Sequence, residues 1–326
     1  MNWRPLIVLG VRRSGTTLLR VILDRAPEIA IPDETWFFPQ LAARHRGRVD
    51  PAAFLDDVRR IPRVRELGID PDEVAPRLRA GMTAGDAIAA VMSTYSAAQG
   101  KERWGDKTPL YMQHLPLLER LFPDAQYVHL VRDGRDTALA FLAVPAGIMS
   151  EPWGHPRDAA GFACLWRTEV EAARALGRRI GDGRYLEARY EDLVSAPEGT
   201  TRAICAFAGL TFDPSMLDYA GTVDVSTQPH QQRLLQPPTA GVRDWRTEMP
   251  PKDIEAFEGI AGDLLVELGY DVIGTGATPG RTARARLALY SARVSARNRF
   301  VVTLQRSPLW KRRHPRPPLP RVSKTL

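Results

Sequence analysis

Apolar and polar positions along the chain fall into short continuous apolar runs separated by stretches with helical spacing. Leu6–Leu9 is a four-residue apolar run closed by Gly10, and residues 16–25 carry Leu and Val at helical intervals. A buried strand, a glycine-containing loop (10–15) and an amphipathic helix in that order open a βαβ unit. Residues 36–125 read as helical, with helices expected over 53–60, 71–80 and 84–99. Within this stretch, residues 47–81 are rich in Arg, Asp and Pro. They are expected to form part of a partly exposed helical insertion, spanning about residues 40–100, that shapes access to a site. Further on, a strand is expected over 125–131, helices over 135–142 and 158–179, and a strand over 185–188. Pro197 then stands in the first turn of another helix, where a missing N–H costs nothing. Strands alternating with helices predict an α/β fold: a P-loop-type three-layer domain with a central parallel sheet flanked by helices. Ligands in such sheets lie at the carboxyl ends of the strands.

Charge divides the chain. The formal net charge is +7, but residues 274–326 hold 13 of the 45 Lys and Arg and no acid. Residues 1–273 are left with 32 basic against 38 acidic side chains, a net of −6. The expected organisation is therefore one domain over 1–273 and a basic tail over 274–326. The tail is helical from 281 to about 305, then rich in proline (308, 315, 317, 318, 320). Leu287, Leu289, Val294, Phe300 and Leu304 alternate with arginines in that helix. Such a tail, over 281–326, suits either an anionic membrane surface or a partner subunit. No nucleic-acid partner is expected, because neither an aromatic platform nor a recognised motif accompanies the charge.

No apolar run reaches the roughly 18 residues that a span requires. The first apolar run is too short for a signal-peptide core and is followed at once by Arg12 and Arg13. With only two cysteines, Cys164 and Cys205, a disulfide framework is excluded, and both read as small buried hydrophobes. A cytoplasmic location, membrane-peripheral if the tail lies on lipid, is the expectation. The six histidines (45, 114, 129, 155, 230, 314) show no ligand spacing, so no metal is expected.

The chemistry begins at Gly10-Val-Arg-Arg-Ser-Gly-Thr-Thr17. Loop N–H groups and a helix N-terminus together cradle an anion. Gly10-x4-Gly15 has Walker A spacing, but Thr16 stands where a nucleoside-triphosphate enzyme has its lysine, and the cation sits inside the loop at Arg13. A kinase-like phosphotransferase is accordingly the second reading, and a catalytically weak nucleotide-binding relative a third.

The string GVRRSGTTLLR resembles the 5′-phosphosulfate loop of sulfotransferases that use 3′-phosphoadenosine-5′-phosphosulfate (PAPS). It is most similar in motif to the tyrosylprotein branch and its bacterial relatives. The resemblance extends over about residues 5–270. It implies PAPS as co-substrate with 3′,5′-ADP as product, and direct in-line transfer to an acceptor hydroxyl whose class (carbohydrate, lipid, phenol or peptide tyrosine) is open. It implies donor-binding roles for Arg13, Ser14, Gly15, Thr16 and Thr17. In Pro32-Asp-Glu-Thr35 it implies Glu34 as catalytic base, with Asp33 as the alternative carboxylate or a helix cap. In Gly105-Asp-Lys-Thr-Pro109 it implies Lys107 as a catalytic cation beside Arg13; Pro109 stands where another branch has a histidine base. Leu130-Val-Arg-Asp-Gly-Arg-Asp136 resembles the 3′-phosphate motif, with Arg132 as ligand. The family's serine eight residues on is Ala140 here, and Thr137 is the expected replacement. Tyr190, in Tyr-Glu-Asp-Leu193, is implied near the nucleotide, and Arg243 in a late covering loop, with Arg246 and Ser226 as further candidates.

Overall fold

Four apolar residues, Leu6–Leu9, form the central strand β1 of a five-stranded parallel sheet in a computed structural model that describes residues 4–144, 156–219, 243–276 and 278–307. Their side chains alternate between two packed faces. Leu6 and Val8 join one cluster, and Ile7 and Leu9 join the other, as the period-2 pleat requires. In chain order the elements continue with α1 (Thr16–Asp24), β2 (Ile29–Ala30), α2 (Phe38–Arg44), α3 (Pro51–Arg60), α4 (Pro62–Glu66), α5 (Pro71–Val74), α6 (Ala84–Ala98), β3 (Arg103–Asp106), α7 (Leu115–Leu121), β4 (Gln126–Val131) and α8 (Gly134–Leu142). Then come α9 (Ala159–Ile180), β5 (Tyr185–Arg189), α10 (Tyr190–Ser195), α11 (Pro197–Ala208), α12 (Trp245–Glu248), α13 (Pro251–Glu267) and α14 (Arg281–Arg306). The sheet order is β2-β3-β1-β4-β5 and every pairing is parallel.

Helix starts follow local chemistry. Asp50 caps α3 and Asp70 caps α5, each ahead of a proline in the first turn. Thr83 and Asp86 close a capping box on α6.

Two strands are not among the expected elements: β2, between the predicted helical stretches, and β3, inside the stretch 36–125 read as helical. β2 is only two residues long. β3 is Arg-Trp-Gly-Asp, polar in sequence yet wholly buried. Arg103 can be interior because its guanidinium donates to the Arg4 carbonyl at 2.5 Å, to Gln126 Oε1 at 2.9 Å and to the Ala208 carbonyl. The expected helix over 71–80 is shorter, ending as α5 at Val74 before a 3₁₀ turn at Ala75–Arg77.

The stretch 47–81 is partly exposed and largely helical, but it also contributes to the core, which its composition does not suggest. Phe54, Val58, Ile61, Val64, Ile69 and Val74 are buried in one cluster with Ile7, Leu9 and the aromatic group Phe37, Phe38, Trp104 and Phe122. Asp56, Arg59, Arg60, Arg65 and Asp72 coat the outside of a layer that completes the core on that side of the sheet, while Asp57 and Arg63 are buried.

The basic segment begins against the body. Backbone N–H groups of Ile273 and Gly274 donate to Glu258 on α13. Along α14, Ala283, Leu287 and Tyr290 pack on the cluster that α8, α9 and α13 build. Cys164 and Cys205 are buried and free, and burial pushes the Cys205 thiol up to about 11.

Because Phe54 is fully buried, Phe54→Ala is expected to cost about 3–5 kcal/mol. That lowers the melting temperature by roughly 5–10 °C in a chain of this size. An unchanged thermal melt would contradict its place in the core.

Candidate active site

Parallel pairing brings four strand ends to one edge of the sheet. Beyond β1 lies the loop 10–15, beyond β3 Lys107, beyond β4 Arg132, and beyond β5 Tyr190. The loop turns tightly. Arg13 and Gly15 both adopt left-handed backbone conformations, with φ of 72° and 94°, and Ser14 N donates to the Val11 carbonyl at 3.0 Å. Left-handed conformations in alternation with the start of α1 turn successive N–H groups into one concavity. Gly15 is required twice over: its φ is positive, and a Cβ there would stand 2.3 Å from the Tyr190 ring.

Three side chains of this cradle hold buried polar atoms without a hydrogen-bond partner: Arg13 Nε, Ser14 Oγ and Arg132 Nε. Unpaired buried donors are costly, and here they converge. Arg132 reaches the Arg13 carbonyl at 3.3 Å and lies 4.5 Å over the Tyr190 ring. Burial, and then the charges of Arg132 and Arg243, lower the Arg13 guanidinium, while Glu34 opposes them. A cradle of N–H groups surrounded by crowded, incompletely bonded guanidiniums fits a polyanionic ligand.

Lys107 is completely buried. Its ammonium donates to Glu34 Oε1 at 2.9 Å and to Thr17 Oγ1 at 3.3 Å, and stands 3.8 Å from Asp33. The two candidate carboxylates are distinguished. Asp33 is bridged to Arg63 at 3.1 Å. Burial alone would raise its pKa, but Lys107, Arg20 and Arg63 together hold it well below the usual carboxylate range. It is not a helix cap, since α2 begins at Phe38. Glu34 instead receives Lys107 on one oxygen and the Trp36 indole N–H on the other, at 2.8 Å.

A group of residues absent from the sequence reading fixes this carboxylate. Trp36 has a left-handed backbone, φ 59°, unusual for a bulky residue. Arg63, from α4, lies 4.8 Å over its ring and donates to the Glu34 carbonyl at 2.5 Å. Beneath, Thr35 Oγ1 donates to Asp106 at 2.7 Å and lies 2.8 Å from the Tyr111 hydroxyl, while Thr35 N donates to Thr108 Oγ1 at 3.0 Å. Asp106 is fully buried, and desolvation pushes it up to about 7 against the hydrogen bonds from Thr35 and Thr108. Asp106 and Thr108 turn to Thr35, while Lys107 between them reaches Glu34, Asp33 and Thr17 at the start of α1.

Of the remaining expectations, Thr137, the candidate replacement for the contact missing at Ala140, has its hydroxyl donor turned onto its own helix. It is buried, and its hydroxyl donates to the Asp133 carbonyl at 2.8 Å. Arg243 lies within the field of Arg13, whereas Arg246 pairs with Asp271 at an exposed position. Ser226 falls outside the described residues. Trp245 N donates to Asp136 at 2.8 Å and the Trp245 ring covers the buried Arg135 at 3.5 Å, so the Arg243 segment is docked on α8. Tyr190 is held in place by its neighbour, since Glu191 accepts from Asp133 N at 3.0 Å and from the Tyr270 hydroxyl at 2.9 Å.

The profile of the Sulfotransferase family matches residues 5–214. The chain is 31% identical to the nodulation protein NoeE of Sinorhizobium fredii, a match covering 82% of this chain and 66% of that protein. It is 29% identical to protein-tyrosine sulfotransferase 2 of Gallus gallus, over 82% of this chain and 70% of that one. Among solved structures, the sulfotransferase domain of the Synechococcus PCC 7002 olefin synthase superposes with a TM-score of 0.54 at 26% identity, covering 83% of this chain and 97% of that domain. The sulfotransferase domain of the curacin biosynthetic pathway shares the fold, with a TM-score of 0.56 at 17% identity, covering 83% and 99%.

Asp106 makes stability depend on pH. Its folded pKa lies above the ordinary value near 3.8, so the folded state binds the extra proton between about pH 4 and 7. Stability therefore falls as pH rises through that window, by at most about 1.4 kcal/mol per pH unit. Asp106→Asn removes the titration. Melts at pH 5 and pH 8 are expected to show the variant gaining on wild type at the higher pH; parallel curves would rule out the buried titration.

Proposed function

This chain belongs to the sulfotransferase family and is a sulfuryl-transferring enzyme; we propose that its donor is PAPS, its product 3′,5′-ADP and its acceptor a hydroxyl. One observation carries the reading. A single buried ammonium, Lys107, contacts both the phosphate loop at Thr17 and the carboxylate of Glu34, so the donor cradle and a proton acceptor meet at one cation.

When bound, PAPS supplies an activated sulfuryl group on a phosphate leaving group. The N–H groups of residues 14–17 and the Arg13 side chain hold its 5′-phosphosulfate, and Arg132, with Tyr190 beneath it and Arg243 nearby, holds the 3′-phosphate. Glu34 accepts the acceptor's proton as the acceptor oxygen bonds to sulfur and the bond from sulfur to the phosphate oxygen breaks. A neutral hydroxyl is a weak nucleophile, which is why the base is needed. Arg13 and Lys107 stabilise the charge gathering on the departing oxygen. Arg63 and Trp36 are positioning residues that hold Glu34, and Asp33, kept anionic between Lys107 and Arg63, fastens the same loop.

The protein-tyrosine sulfotransferase among the relatives supports a hydroxyl acceptor without choosing between a phenol, a sugar, a lipid and a peptide tyrosine. The α3–α5 layer adjoins Glu34 through Arg63, and that layer is where acceptor choice is expected to reside.

Calorimetry with 3′,5′-ADP and with Mg-ATP tests the donor. Wild type is expected to bind 3′,5′-ADP, Arg13→Ala to bind it roughly 10–100-fold more weakly through loss of charge-assisted hydrogen bonds, and neither to respond to Mg-ATP. Binding of Mg-ATP alone would make the phosphotransferase reading the better one. For the base, Glu34→Gln is expected to lower kcat by about 10²–10⁴ with 3′,5′-ADP affinity within a few-fold of wild type. Unaltered turnover would move the role to another group.

A further inference from the structure

The helix α14 (Arg281–Arg306) is packed on one side only. Ala283, Leu287 and Tyr290 turn onto the body, and Arg297 donates to Gln113 at 2.6 Å. The opposite side is exposed and carries Arg281, Arg284, Arg286, Arg293 and Arg299. Two large apolar side chains share it: Leu289 is 52% and Phe300 63% exposed. At 100° per residue, Arg286, Leu289, Arg293 and Phe300 fall in a single stripe along the helix. No acid occurs anywhere in residues 274–326, while the rest of the chain has net charge −6.

We propose that this face of α14 docks the enzyme on an anionic lipid surface, with Leu289 and Phe300 entering the acyl boundary and the arginines in the headgroup layer. Among the described residues no helix is long and apolar enough to cross a membrane, so the attachment is peripheral. Charge complementarity names the surface: each cation close to an anionic leaflet changes the partition about fivefold, and the acid-free stripe forfeits none of that to repulsion. The apolar pair chooses lipid over nucleic acid. Against a duplex, Leu289 and Phe300 would stay in water beside the phosphates, whereas at an interface they are buried while neighbouring guanidiniums remain solvated. Because the body is acidic, adhesion is not a diffuse property of the whole molecule but belongs to the acid-free segment 274–326, of which this face is the described part that also presents large apolar side chains.

Flotation of the full chain with vesicles decides the matter. The expected result is recovery with phosphatidylcholine vesicles containing about a third phosphatidylglycerol, little recovery with phosphatidylcholine alone, and release by 0.5 M NaCl. Arg286→Glu combined with Arg293→Glu is expected to reduce the bound fraction at least tenfold. Leu289→Ser combined with Phe300→Ser should reduce it severalfold. Binding of 3′,5′-ADP should be unchanged in both, which separates a failure here from a failure of the donor assignment. The two double variants are independent, so a folding defect in one leaves the other to decide. Equal recovery on neutral and anionic vesicles, recovery undiminished in both variants, or tight binding to a short DNA duplex with none to vesicles would overturn the proposal.

Discussion

Parallel pairing of β3, β1, β4 and β5 is the constraint on which everything else rests. A parallel sheet has all its carboxyl ends on one side, and the sequence places a candidate site element directly after four of them: Lys107 after β3, the loop 10–15 after β1, Arg132 after β4 and Tyr190 after β5. Neighbouring strands stand about 4.8 Å apart, so groups separated by more than 170 residues in sequence are brought within reach of one phosphate-bearing ligand. The register is set by buried apolar rows, Leu6 with Val8 on one face and Ile7 with Leu9 on the other. A slip of one residue would exchange the faces and dismantle the edge.

Concentrating cations there requires support from below. Arg135 is fully buried, yet its charge is met by Asp133 at 2.8 Å and Glu258 at 2.6 Å, with the Asp271 carbonyl as a further acceptor. Removing one partner from such a group leaves an uncompensated charge, which is why α13, remote in sequence, is bound up with the motif around Arg132. By contrast, Arg13 and Arg132 keep unpaired Nε atoms. The distinction between a satisfied and an unsatisfied buried arginine divides framework from binding site within a single motif, Arg132-Asp-Gly-Arg135.

The apolar runs at 6–9 and 126–131, the glycine loop and the long helix of residues 159–180 were legible in the sequence because pattern and propensity agree there. The candidate residues Arg13, Arg132 and Tyr190 were legible as motifs at strand ends, and Lys107 as a motif only. What stayed hidden was hidden for physical reasons. β3 is a strand built of polar residues whose burial depends on long-range partners such as Gln126 and Ala208, and no local pattern records that. The layer over 47–81 has a charged composition, but its apolar residues recur singly, at Phe54, Val58, Ile61 and Val64, and a single stripe suffices to bury short helices. Thr137 looked available as a ligand; that its hydroxyl turns back onto its own helix is decided by burial alone.

The α3–α5 layer thereby acquires a double role. Its apolar stripe completes the core, while Arg63 leaves that core to grip the carbonyl of Glu34, the carboxylate of Asp33 and the face of Trp36. Holding Trp36 in a left-handed backbone costs about 1–3 kcal/mol, and such a conformation persists only when its surroundings over-determine it. Arg63 from above, the indole bond to Glu34, and the Thr35–Asp106–Tyr111 network from below provide that determination. Any change in this layer that admits a different acceptor must therefore preserve Arg63 in its present place, or the proposed base moves with it. If the layer selects the acceptor, as proposed, its outer, charged positions are the ones that can change without moving Glu34, while Arg63, which points inward, cannot.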